Sequence, residues 1–218
     1  MSNRRTTLLA LGSGATLLAG WSWLGSSAAA AEIATPLPPP AFDPSNTAAR
    51  ETAVFAGGCF WGVQAVFQHT RGVLNAVSGY SGGDQGSANY ASVSAGRSTH
   101  AEAVEVSFDP RQVSYGKLLQ VFFSVAHDPT QLDRQGPDAG PQYRSALFYR
   151  TPEEKAVIDA SKSALEKKLG KKIATQVTAF EKFYPAEGYH QNYVKRNPKN
   201  SYVRNVSIPR LMEAGFKE

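Results

Sequence analysis

One cysteine, Cys59, stands in a chain of 218 residues. That count forbids any intramolecular disulfide and any cysteine-rich zinc cluster, so an apolar core has to carry the fold. Hydrophobic residues make up 42% of the chain and charged residues 19%, shares that fit a packed globular protein and exclude wholesale disorder. The length suits one medium domain better than two. A net charge of +5, with Lys and Arg spread along the chain, serves solubility as well as anionic partners and selects no function class.

Residues 1–31 read as an address. A polar start with Arg4 and Arg5 leads into an apolar run from Leu8 to Leu24 and then the small residues Ser26 to Ala31. That order is the plan of a secretory signal peptide, and the paired arginines resemble a bacterial twin-arginine signal. An uncleaved anchor competes with this reading, since about 17–25 apolar residues can span a bilayer. The glycines at 12, 14 and 20 and the alanines before Glu32 favour cleavage, giving a periplasmic or secreted protein with no membrane association afterwards. Residues 32–50 form a Pro-rich linker, because proline removes backbone donors and favours extended chain.

Residues 51–218 read as one mixed domain. Thr52–Ala56 is a short strand, and Val63, Val66 and Phe67 lie at helical spacing within Gly62–His69. Val73–Tyr80, Ala101–Phe108, Ser145–Arg150 and a final Thr175–Phe180 read as strands, although the alternation in Ala101–Phe108 is only partly in register. Ser114 caps a helix through Val125. Thr151-Pro152-Glu153-Glu154 places a cap, a first-turn proline and a third-position glutamate ahead of a helix that runs to Leu169 and stops at Gly170. The tail to Glu218 shows little regular pattern. Uneven alternation of strands and helices implies α+β, a two-layer sandwich with a mixed sheet.

The chemistry starts at Cys59, which follows two glycines and precedes a helix. A thiol at a helix N-terminus feels unpaired N–H groups and the positive end of the dipole, which favour its thiolate. The bland alternative is a buried structural cysteine, the commoner fate of a lone one. In an exported protein an unpaired thiol is liable to stray pairing, which shifts the balance toward a functional role.

The segment Gly58-Cys59-Phe60-Trp61-Gly62 resembles the active-site motif of the A-type peptide methionine sulfoxide reductases. The resemblance continues in order through Gly79-Tyr80-Ser81-Gly82-Gly83, Asn89-Tyr90, His100-Ala101-Glu102-Ala103-Val104, His127-Asp128-Pro129-Thr130-Gln131, Arg134-Gln135-Gly136-Pro137-Asp138, Gly140-Pro141-Gln142-Tyr143-Arg144-Ser145 and Ala186-Glu187-Gly188-Tyr189-His190-Gln191. It covers about residues 52–195 and implies a sandwich related to the ferredoxin-like arrangement.

The resemblance also implies roles. Cys59 would attack the sulfoxide sulfur, and Glu102 would protonate the oxygen, its carboxyl kept neutral by the apolar Ala101, Ala103 and Val104. Tyr90 and Tyr143 would hydrogen-bond that oxygen, Asp138 would organise the site, and Phe60 with Trp61 would hold the substrate methyl group. Without the motif these would read as an exposed strand carboxylate, rim tyrosines, a turn aspartate and core aromatics. His69 reads as a surface residue, and His100, His127 and His190 as framework hydrogen-bonders. No histidine pair has metal-ligand spacing with a third ligand, so neither a metal nor a bound cofactor is expected.

The chain departs from the family in its tail. Many members carry further cysteines there, whereas residues 194–218 hold none. A sulfenic acid on Cys59 would need an external thiol: thioredoxin-like, glutaredoxin-like or small. The other partners implied are oxidised proteins or peptides and free methionine sulfoxide, with no nucleic acid, acting on a monomer. Two other classes compete. A Cys–His hydrolase needs an imidazole within reach of the sulfur, and a binding module keeps its ligand in Cys59→Ser.

Overall fold

The computed structural model describes residue 40 and residues 42–213, so the expected signal segment 1–31 lies outside the described residues. Alternation builds the first strand. In β1 (Glu51–Gly57), Ala53 and Phe55 face one side of the sheet and Val54 and Ala56 the other. There follow α1 (Phe60–Gln68), β2 (Val73–Ser81), the short α2 (Tyr90–Ser94), β3 (Ala101–Phe108) and α3 (Tyr115–Val121), which continues into a π turn at Phe122–Ala126. A two-residue ladder of β4 (Arg134–Gln135) and β5 (Asp138–Ala139) precedes β6 (Ser145–Tyr149) and α4 (Pro152–Leu169). Then come β7 (Gln176–Ala179), β8 (Phe183–Pro185), α5 (Tyr193–Arg196), a π turn at Val203–Ser207 and α6 (Ile208–Glu213).

The main sheet has the order β7-β6-β1-β3-β2-β8, antiparallel except for the parallel pair β6–β7. This is the mixed sheet of an α+β sandwich that the element order implied. Helices cover one face, where Phe55, Val104 and Val106 meet Val66 and Phe67 of α1, Leu118 and Leu119 of α3, and Ile158 of α4. On the other face Val54, Ala56, Ala101, Ala103, Ala146 and Phe148 form a smaller cluster closed by Phe180 and Phe183. The broken alternation of Ala101–Phe108 follows from this position, since a strand in mid-sheet with both faces covered is apolar on both.

Four boundaries differ from the sequence reading. α1 begins at Phe60, directly after Cys59, and α3 gives way to the π turn at Phe122. The strand at 176–179 is not the last, because β8 pairs with β2. A Cβ on Gly79 would lie 2.3 Å from the Tyr184 carbonyl oxygen, so a glycine lets β8 approach this closely. The tail is helical rather than irregular: α5, its π turn and α6 pack on α1, with Val194, Tyr202 and Leu211 in the core cluster. Each piece is too short for a periodic signal and is held by tertiary packing. The end of the linker is docked as well. Asp43 accepts from the Gly116 N–H at 3.0 Å and from the Ser114 hydroxyl, whose oxygen in turn accepts from the Lys117 N–H at the start of α3.

Candidate active site

The loop between β1 and α1 positions Cys59. Gly58 has φ +89°, and a Cβ there would lie 2.5 Å from Cβ of Gln135, so both conformation and space demand glycine. Cys59 takes the N-cap position of α1 and is 7% exposed. Burial pushes its thiol pKa up, and the carboxylates of Glu102 and Asp138 push it the same way. The Trp61 N–H and the Tyr202 hydroxyl pull it down without prevailing. The helix N-terminus therefore does not make a resting thiolate, contrary to the expectation from its position alone. The free sulfur is a neutral thiol.

Glu102 sits opposite Tyr80 in the β2–β3 register, on the face of β3 that carries Val104 and Val106. It is 2% exposed, and its Oε2 accepts from the Phe60 N–H at 3.0 Å. Burial raises its pKa to about 8; the Phe60 N–H opposes the rise and Asp138 adds to it. At neutral pH a proton is thus stored beside the sulfur.

The other predicted residues converge on this pair. Half-buried Tyr90 and Tyr143 keep their phenols protonated, through burial first and then the charges of Glu102 and Cys59, with Asp138 also acting on Tyr143. Tyr90 starts α2, where its N–H is accepted by Glu187 Oε1 at 2.9 Å. Asp138 Oδ2 accepts from the Tyr202 hydroxyl at 2.5 Å. Phe60 is 1% exposed, its ring tilted against Tyr80 and His190. Trp61 is partly exposed and stacks on Tyr193 at 3.6 Å and 7°, with Tyr202 edge-on at 5.7 Å.

Each of the three buried histidines holds a partner through at least one ring nitrogen. His127 donates through Nδ1 to the Phe122 carbonyl and meets the Ser145 hydroxyl through Nε2; burial lowers its pKa to about 4. His190 Nδ1 accepts from the Trp61 indole at 3.0 Å, and His100 Nε2 donates to the Asp84 carbonyl at 2.9 Å. No imidazole is thereby placed as a base for Cys59, which removes the observation a Cys–His hydrolase needs. Among the described residues no group of three His, Cys, Asp or Glu could hold a metal ion. Sequence reasoning missed Tyr202, Tyr193 and Glu187 as parts of the site. Glu187 lay within a motif match, but the two tyrosines lie in the tail, where no pattern marked them.

A thiol, a carboxyl that burial keeps protonated and phenols held protonated, among aromatic rings, are a set that could serve attack on a polarised S–O bond. Comparison with known proteins agrees. The family model for peptide methionine sulfoxide reductase matches residues 51–216. Peptide methionine sulfoxide reductase MsrA 2 of Synechocystis sp. is 54% identical over 181 residues, 80% of this chain and 85% of that protein. MsrA of Thermus thermophilus is 48% identical over 164 residues, 75% of this chain and 93% of that protein. Among solved structures, reduced Mxr1 from Saccharomyces cerevisiae aligns with a TM-score of 0.67 and 31% identity, over 76% of this chain and 95% of that one. Methionine sulfoxide reductase A of Corynebacterium diphtheriae aligns with a TM-score of 0.62 and 32% identity, over 72% and 79%. The chain belongs to the peptide methionine sulfoxide reductase family and is an enzyme of that kind.

Proposed function

We propose that the chain reduces the S epimer of methionine sulfoxide, free or in oxidised proteins, by moving the oxygen from the substrate sulfur to Cys59. The observation that carries this is the protonated, buried Glu102 beside the only thiol. Glu102 gives its proton to the sulfoxide oxygen, with Tyr90 and Tyr143 as hydrogen-bond donors, while Cys59 Sγ attacks the sulfur. The substrate sulfur gains two electrons and leaves as the thioether; Cys59 loses two and becomes the sulfenic acid. One external thiol then displaces water to give a mixed disulfide, and a second releases Cys59 as the thiol. A thioredoxin-like or glutaredoxin-like protein or a small thiol fills that role. Phe60 and Trp61 receive the methyl group, and Asp138 orders the site through Tyr202. We further propose that the protein works in the periplasm or outside the cell; Arg4-Arg5, the apolar run and the alanines before Glu32 support this.

The test mixes the protein with a peptide carrying the S sulfoxide and no reductant. One methionine should form per chain, seen by mass spectrometry as the loss of one oxygen, and Cys59 should then react with a sulfenic-acid reagent. Dithiothreitol should restart turnover, and Cys59→Ser should stay below a few per cent of the wild-type rate. Multiple turnover without reductant, or product from the Ser variant, would sink the reading.

A further inference from the structure

Tyr90 has slight local support. It opens α2, a helix of five residues that is too short to hold its own place. At the first helical position its N–H has no acceptor within the helix. Glu187, in the loop after β8, supplies one. Oε1 of Glu187 accepts from the Tyr90 N–H at 2.9 Å, and Oε2 accepts from the Tyr80 hydroxyl at 2.8 Å. Tyr80 is fully buried and lies directly opposite Glu102 in the β2–β3 register. One carboxylate thus ties the backbone of Tyr90 to the strand position beside Glu102. The same loop closes on the Tyr90 ring, with the His190 centroid at 4.3 Å and Tyr189 edge-on at 6.5 Å. The loop is itself anchored, because Gln191 accepts from the Ser78 N–H at 3.0 Å and donates to the Ser78 carbonyl at 2.8 Å.

We propose that Glu187 is a positioning residue: its two carboxylate oxygens fix the Tyr90 phenol relative to the Glu102 acid. The inference rests on the reductase reading, in which the Tyr90 hydroxyl and the Glu102 proton meet the same sulfoxide oxygen. Two donors to one atom have to keep a fixed relation, and a misplacement of about 1 Å can cost about 10²-fold in rate. Glu102 is held by its strand and by the Phe60 N–H. Tyr90 lies on no strand, and its tie to the sheet runs through Glu187 to Tyr80. A carboxylate suits this task because it only accepts, and it offers one oxygen to each donor. Burial opposes its charge, yet the Tyr90 N–H leads the groups that outweigh burial and keep its pKa below the ordinary carboxyl value. Glu187 therefore acts through Tyr90.

Single-turnover methionine formation from an S-sulfoxide peptide, followed on the full chain, reads this tie. Glu187→Ala leaves the Tyr90 N–H without its acceptor and should slow the step at least about tenfold. Glu187→Gln restores an oxygen for that N–H, and its amide can donate to the Tyr80 hydroxyl oxygen, so the rate should recover to within about threefold of wild type. Were the charge of Glu187 what mattered, Gln would be as slow as Ala. In a Tyr90→Phe background the Ala substitution should change the rate less than about twofold, because the hydroxyl it positions is gone. A merely structural role would cost the same factor in both backgrounds. An Ala variant within about twofold of wild type, a Gln variant as slow as Ala, or equal losses in both backgrounds would overturn the proposal. Deuterium exchange at the Tyr90 amide, read by NMR, is independent of the reaction. It should be at least about tenfold faster in Glu187→Ala and return toward wild type in Glu187→Gln. Methionine formation with unchanged exchange overturns the positioning role alone. A wild type that forms no methionine overturns the reductase reading and the role with it, while the exchange pattern still reports whether Glu187 holds Tyr90.

Discussion

Replacing Glu102 by Gln should yield a protein that is more stable and nearly inactive. The carboxyl titrates near 4.5 when exposed and at about 8 in the folded protein, where burial penalises its charge. Between those values the folded chain holds a proton that the unfolded chain has released. The stabilisation from this group is complete below pH 4.5 and is lost as pH rises through 8. From pH 5 to pH 8 the loss amounts to about 3 kcal/mol. Gln cannot ionise, and its oxygen can still accept from the Phe60 N–H, so the variant escapes that loss. Urea unfolding of both proteins at pH 5 and pH 8 isolates the group, because other titrations are common to the two. The stability gap should widen by about 3 kcal/mol in the variant's favour. Single-turnover methionine formation should meanwhile fall by roughly 10²–10⁴-fold, and the wild-type rate should itself decline above about pH 8 as the acid is lost. A gap that widens by less than about 1 kcal/mol would refute the argument from burial. An unchanged rate would remove Glu102 as the acid.

Two further outcomes follow from neighbouring groups. His127, which titrates near 6.5 when exposed and at about 4 when folded, contributes stability present above pH 6.5 and lost as pH falls through 4. Melting of wild type between pH 7 and 4.5 should therefore drop more steeply than that of His127→Gln, and parallel slopes would exclude the effect. Tyr193→Ala removes the ring stacked on Trp61, an aromatic pair worth about 0.5–1.5 kcal/mol beyond its buried area. The variant should raise KM for the sulfoxide peptide more than it lowers kcat. An equal fall in kcat would mean that the stack serves the chemistry rather than the pocket.

What the sequence revealed depended on the range of the signal. β1, β2 and β6 and the long α4 announce themselves locally, through alternation, glycine stops and the Thr151 cap, and they appear within a residue or two of the expected bounds. The loop holding Cys59 was legible for the same reason: Gly58 takes a left-handed φ of +89°, a demand of its own backbone. Features that depend on distant partners were not. β8 is three residues long and exists because it lies over Gly79, more than 100 positions earlier. Tyr202 belongs to the site through Asp138 and Cys59, 64 residues away in one case and still farther in the other, and nothing around it in sequence carries that information. The thiol's protonation was misjudged for a related reason: the helix N-terminus is visible in sequence, but the burial that outweighs it is not.

The tail ties these points to recycling. The described part of the tail supplies Tyr193 and Tyr202, which wall Trp61 and reach Asp138. Cys59, separated from Trp61 by Phe60, is itself only 7% exposed. A disulfide needs two Cα atoms within about 4.4–6.8 Å, so the seated sulfurs of two copies could not meet without opening this wall. On the proposed reaction the sulfenic acid is thus protected from its own kind and has no partner in the chain. On that reaction resolution would begin with a thiol entering the space the substrate has just left. The aromatic rings that would receive the methyl thioether would also meet the donor, so the rate of recycling would depend on how well a thiol fits beside Trp61, against which Tyr193 and Tyr202 pack.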